Sequence, residues 1–274
     1  MAQAACQDPG LFGPGSVTWR IMDEPVMWVA GLRAMYLQAL HPRTMRATWQ
    51  NTAFARPGEA WGRFSRTVEF VRVRTYGTTA EVRRAGERVR RIHATLTGTD
   101  ADGSVIRLDE PELLLWVHCG EVASYVDIAR RCGMRVSPAE LDEFVAEQRR
   151  SAEVVGLGPV SGPGSVAELD AYYERVRPEL VLCAEARQAL ARSFVPDVPW
   201  PFTGLRLVIP SLNLLALASL PRWARRLYGT PGVPITDLST TMTLRALHQA
   251  TTRLPRALLF MPDRTSAPVV RPAA

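Results

Sequence analysis

Apolar residues recur at three- and four-residue spacings along most of this chain, and alternating runs are scarce. The stretch around "RVRRIHATLTG" shows the pattern. Val82, Ala85, Val89, Ile92 and Leu96 fall on one side of a helix. His93 borders that side, four residues after Val89 and three before Leu96. Hydroxyl residues followed three positions later by glutamate mark helix starts at Thr78 with Glu81, Ser137 with Glu140 and Ser165 with Glu168. Asp109 with Glu112 offers a fourth start, with Pro111 in the first turn. These signals predict helices over Pro25–Leu40, Pro57–Thr75, Thr79–Leu96, Glu110–Cys132, Pro138–Val155, Val166–Ser193, Leu205–Tyr228 and Ser239–Phe260. Pro178 and Pro210 should kink or divide the long ones. "GTDADGSV" reads as a loop, and no Asp-Gly or Asn-Gly turn joins two strand-like runs. The expectation is an all-α fold, a single multi-helix globular domain.

Composition narrows the chemistry. The chain has 274 residues, 47% hydrophobic and 22% charged, as in an ordinary globular protein. It contains no lysine, so arginine carries all the side-chain positive charge, and lysine Schiff-base and P-loop chemistry are excluded. The formal charge of +6 suits nucleic acid, an acidic membrane surface or an anionic small molecule. The arginines are nonetheless scattered, and "RRAGERVRR" reads as a solvated helix face without a nucleic-acid-binding motif. Cys6, Cys119, Cys132 and Cys183 form no CxxC pair, which suggests free thiols in a reducing compartment. The start of the chain lacks a signal-peptide pattern, and the apolar tract Leu207 to Leu220 is short and contains Pro210. A cytoplasmic protein with no transmembrane segment is expected. The segmentation expected is 1–20 as a partly flexible start, 21–260 as the helical domain, and 261–274 as a tail.

Candidate chemistry centres on histidine. His118 has Leu114, Val122 and Tyr125 at helical spacings, so two helices each turn one imidazole toward an apolar face. A hydrogen-bonded core histidine is the ordinary use of such a residue. Zinc is disfavoured because no HxxxH, HExxH or CxxC cluster exists. Haem needs only one imidazole, an apolar slot and cations for its propionates, and all three ingredients are present. In "WGRFSRTVEF", Arg63 and Thr67 share a helix face. Arg63 can fork onto a carboxylate, and Thr67 can donate outward or bond back to its own helix.

Four blocks, in order, carry a family resemblance: "GLRAMYLQALHP", "GRFSRTVEFVRVRTYGTTAEVRRAGERVRRIHATLTG", "DEPELLLWVHCGEVASYVDIARRCG" and "ASLPRWARRLYG". They resemble the group that contains the latex-clearing rubber oxygenases and the mpaB-type oxygenases, over about residues 20 to 258. The resemblance implies an all-α domain enclosing a haem pocket, with haem b held through its iron by His93. It also implies a small-molecule substrate, oxygen or peroxide, and a redox partner, with no nucleic acid. Arg63, Arg66 and Thr67 match the R-x-x-K-T pattern of the rubber oxygenases except at the middle position, where a lysine stands in that family. Arg66 stays protonated and cannot serve as a neutral nitrogen ligand. Arg63, with Arg33 as companion, would pair with propionates, while Arg66, Thr67 and His118 would shape the distal side. The chain departs from the rubber oxygenases where their carboxylate base would stand. "MRATWQNTAF" offers Asn51 and no acid, and Thr97 and Gly98 follow His93 in place of further basic residues. The expected activity is therefore that of a haem-dependent oxygenase on a small lipophilic or specialised-metabolite substrate, and polyisoprene cleavage is not expected. Peroxide-driven or coupling chemistry, and a non-catalytic haem-binding role, are the alternatives.

Overall fold

The computed structural model describes residues 8–51, 59–158, 161–195, 204–230 and 232–254. Among them are twelve α-helices: α1 Val17–Met22, α2 Met27–Gln38, α3 Pro42–Asn51, α4 Glu59–Tyr76, α5 Thr79–Thr95, α6 Pro111–Arg131, α7 Pro138–Val154, α8 Val166–Val176, α9 Ala184–Ser193, α10 Leu205–Ser219, α11 Arg222–Leu227 and α12 Pro234–Thr251. A single antiparallel hairpin, β1 Thr97–Thr99 and β2 Val105–Arg107, completes the described elements. The fold is all-α, one helical globular domain.

Helix α6 is the axis of the core. Apolar side chains surround most of its circumference, and Trp116, Cys119, Val122, Val126, Ile128 and Ala129 are all buried. Full burial of a side chain such as Ile128 contributes ~1.5–3 kcal/mol. Helix α2 lies along α6 and buries Val29, Ala30 and Leu37 in the same cluster, with α10 on its other side. Polar ties fix the pair. Trp116 Nε1 donates to Gln38 O at 2.9 Å, and Arg33 donates to Ser124 Oγ at 2.8 Å. Helix α7 packs on α6 and α1, where Gln148 donates to Thr18 Oγ1 at 2.9 Å.

The helix starts at Thr78 and Ser137 are reciprocal capping boxes, and Ser165 caps α8 through the Glu168 N–H. Asp109 does not cap α6. Glu110 holds the cap position without a side-chain bond, because Arg107 grips the Asp109 carboxylate at 3.0 and 2.7 Å. Pro178 does divide its segment, through a 3-10 turn at Arg177–Glu179. Helix α10 continues through Pro210, and the break falls later, at Leu220 and Pro221. The last predicted helix starts five residues earlier than expected, at Pro234, and its predicted end lies outside the described residues.

Helices α1 and α3 and the hairpin were not expected. The first is only six residues long, too short to show a period. The hairpin turns through Gly103 at φ +86°, next to Asp102, so the presumed loop holds strands after all. Only Gly98 and Ile106 face inward from it, against Ala47 of α3, and three-residue strands show no alternation to read. Asn51 fastens it by donating to Thr97 O at 2.6 Å.

Candidate active site

Helices α4 and α5 form an antiparallel pair joined at Gly77, and this pairing brings Arg63 beside His93. Arg63 lies deeply enough that burial pushes its guanidinium down to about 10, with the neighbouring Arg66 acting in the same direction. His93 sits near the C-terminal end of α5. Its Nδ1 is buried and has no hydrogen-bond partner among the described residues. Burial holds the imidazole below its usual value, Arg63 adds to this, and Asp109 partly opposes it. The hairpin supplies that carboxylate. Leu108 N donates to Leu96 O at 3.1 Å, which returns the chain alongside the last turn of α5. The result is an imidazole held toward its neutral form, near a buried cation and a more exposed anion.

Trp28, Trp61 and Phe64 gather at the same end of α4, with Phe64 ring centroids 6.5 Å from Trp28 and 6.0 Å from Trp61. The far half of the predicted apolar stripe on α5 is only partly covered, and Ile92 is exposed. Arg83, Arg84, Arg88, Arg90 and Arg91 are exposed on the other side of the helix.

A second polar group lies three turns along α4. Arg74 is eleven residues after Arg63, which returns it to nearly the same side of the helix, ~16 Å further on. The buried Arg74 guanidinium grips both oxygens of Glu121 on α6, one of them at 3.1 Å. Burial alone would raise the Glu121 carboxyl, but the charge and hydrogen bonds of Arg74 bring it below the usual range. His118, one turn before Glu121, is buried, and Glu121 is partly buried. Burial pushes its imidazole down to about 4, Glu121 opposing and Arg74 adding to the shift. A Cβ placed on Gly162 would lie 3.9 Å from His118 Cδ2, so the 161–165 segment covers this ring closely.

The six residues singled out by sequence therefore separate. Arg63 and His93 stand together. Arg66 and Thr67 are on the exposed side of α4, and Thr67 Oγ1 bonds back to Arg63 O at 3.2 Å. His118 belongs with Arg74 and Glu121. Arg33 is elsewhere, in the buried seam between α2, α6 and α10. Its guanidinium is taken by Ser124 Oγ at 2.8 Å, Ser219 O at 3.3 Å and Asp127 at 3.5 Å, so it is not a partner for a propionate beside His93. Cys119, adjacent to His118 in sequence, is a buried thiol pushed up to about 12, unsuited to act as a thiolate ligand. The described cysteines Cys119, Cys132 and Cys183 are free, and Cys6 lies outside the described residues.

Sequence reasoning passed over Arg74, Glu121 and Asp109. Two of them carried a signal: Arg74 repeats the helical face of Arg63, and Glu121 follows His118 at a three-residue spacing. Among the described residues, no group of three or more His, Cys, Asp or Glu side chains could hold a metal ion. The arrangement instead offers an imidazole held toward its neutral form and a buried cation, with aromatic rings gathered at the same end of α4.

No curated protein and no solved structure matches the chain. A family model does match, over residues 18–256, and its description is "ER-bound oxygenase mpaB/B'/Rubber oxygenase, catalytic domain". The match takes in all twelve helices apart from the first residue of α1, including both polar groups on α4, and the chain belongs to this oxygenase family.

Proposed function

We propose that the chain is a haem-b-dependent oxygenase acting on a small lipophilic or specialised-metabolite substrate. The single observation that carries the reading is the His93 imidazole, with a buried Nδ1 that no described residue engages by a hydrogen bond, next to the buried Arg63 guanidinium. Neutral imidazole is the form that binds iron. Burial and Arg63 favour that form, and the low-dielectric surroundings strengthen Arg63 as a partner for a propionate.

When bound, haem supplies the redox-active iron on which oxygen is activated. His93 holds the iron and sets its electronics. Arg63 orients the cofactor through a propionate. Trp28, Trp61 and Phe64 provide apolar surface that limits water at this end of α4. His118, held neutral by burial, would shape the distal side as a hydrogen-bonding group, with the Arg74–Glu121 pair fixing its surroundings. Arg66 and Thr67 would shape the distal side from the exposed side of α4.

The test is an absorption spectrum with haem content, measured on the wild type and His93→Ala after haem reconstitution. The wild type should show a Soret band, and the variant should lose haem or change its ligation. An unchanged spectrum in His93→Ala overturns the assignment and moves the ligand role to His118. Wild-type protein that takes up no haem on reconstitution overturns the reading as a whole.

A further inference from the structure

Tyr125 is a buried phenol without a role so far. It stands one turn after Glu121 on α6 and is 7% exposed. Burial pushes the phenol well up, Glu121 adds to the shift and Arg74 opposes it, so the O–H stays intact within reach of both charges. The ring meets Phe144 edge-on at 6.4 Å, and among the described residues no hydrogen bond reaches its hydroxyl. A buried hydroxyl is normally satisfied. Space for a partner lies on the α2 side. A Cβ placed on Gly31 would meet, within 4 Å, the Tyr125 hydroxyl oxygen alone among the described residues, at 3.9 Å.

The surroundings of that space are apolar. Trp28 lies one turn before Gly31 and Met35 one turn after it, so the three share one side of α2. Trp28 and Gly31 are partly exposed, and Met35 is 41% exposed. Phe64 of α4 comes to Trp28 with ring centroids 6.5 Å apart, and it directly follows Arg63 in the chain. The strip therefore carries one phenolic donor, placed where α2 lacks a side chain. A complementary molecule has a hydrocarbon body and one acceptor oxygen. A charged head does not suit the donor, because Arg74 and Glu121 already compensate each other beside it. A carbonyl oxygen accepts from the O–H and brings neither a charge nor a donor in need of its own partner.

We infer that Tyr125 anchors the substrate through a carbonyl oxygen, which makes the substrate class a lipophilic carbonyl compound and not a plain hydrocarbon. The inference rests on the oxygenase reading for what becomes of the bound molecule, while the anchor itself needs no haem. The test is calorimetric titration of the full chain, as purified and after haem reconstitution, with methyl nonyl ketone and with undecane. Infrared spectra of the ketone, isotope-labelled at its carbonyl carbon, give a second readout. Wild type should bind the ketone about tenfold more tightly than the alkane, and the carbonyl stretch of the bound ketone should fall below its value in hexane. Tyr125→Phe should lose both the preference and the shift while keeping the alkane affinity. Gly31→Val should weaken both ligands by narrowing the strip, and circular dichroism should show both variants as helical as wild type. Equal binding of the two ligands, binding of neither, or a Tyr125→Phe variant that keeps the preference or the shift overturns the inference. A chain that takes up no haem yet binds the ketone through Tyr125 upholds the anchor and removes only the oxygenase reading.

Discussion

At the scale of single residues, the two polar groups on α4 differ in kind. Arg74 and Glu121 pair closely, and removal of the carboxylate leaves the buried guanidinium without its opposite charge. Glu121→Gln should therefore destabilise the fold by ~3 kcal/mol, measured by urea denaturation of the cofactor-free protein. A loss well below 1 kcal/mol would mean that water reaches the pair. His93 is of the other kind, since among the described residues its Nδ1 has no hydrogen-bond partner. Arg63→Gln should lower haem retention after gel filtration while leaving the helical content unchanged. Full retention would remove Arg63 from the binding group. Sequence could mark His93 as bordering an apolar stripe, yet Ile92 within that stripe is exposed. Spacing on a helix shows which residues share a side, and it does not show whether another element covers that side.

Among elements, α5 positions the candidate ligand, and two contacts set its placement. Its start is fixed by the Thr78–Glu81 capping box, in which Thr78 N donates to Glu81 Oε2 at 2.8 Å. Its middle lies against α7 at Gly86, where an added Cβ would come within 2.8 Å of both Val154 O and Val154 Cγ1. The backbone oxygen cannot turn aside as a side chain can. Gly86→Val should force the two helices apart and cost ~1–3 kcal/mol, seen as a lower urea midpoint. Gly103→Val, at a turn with no neighbour near its Cβ, should cost less by contact but strain a φ of +86°. The capping box was legible because it needs only residues three apart. The hairpin was not, because its register depends on Ala47 of α3, some fifty residues earlier in the chain.

For the whole molecule, the buried histidines set the response to acid. Burial holds His118 at about 4, and it also holds His41 below its usual value. The folded chain resists protonating these rings, whereas the unfolded chain takes protons near the ordinary histidine value of ~6.5. Stability is therefore greatest above that value and falls as pH drops from ~6.5 toward about 4. Glu121 adds a further loss only at lower pH, as its own depressed value is approached. The urea midpoint should fall between pH 7 and pH 5, and His118→Asn should flatten that slope. A midpoint that is flat over this range in the wild type would mean that His118 is hydrated and titrates normally.

The sequence by itself determined the all-α class, most of the helix positions and the helix starts at Thr78, Ser137 and Ser165, because period and capping are local. It also carried the resemblance that the family match bears out. Tertiary structure alone decided the company each side chain keeps. The antiparallel α4–α5 pair brought Arg63 to His93, the crossing of α6 joined His118 and Glu121 to Arg74, and the α2–α6–α10 seam took Arg33 away to Asp127, Ser124 and Ser219. A buried charge goes to whichever opposite charge or polar atom the packing of distant elements brings within reach. That choice is made between helices, and residue spacing within one helix contains no record of it.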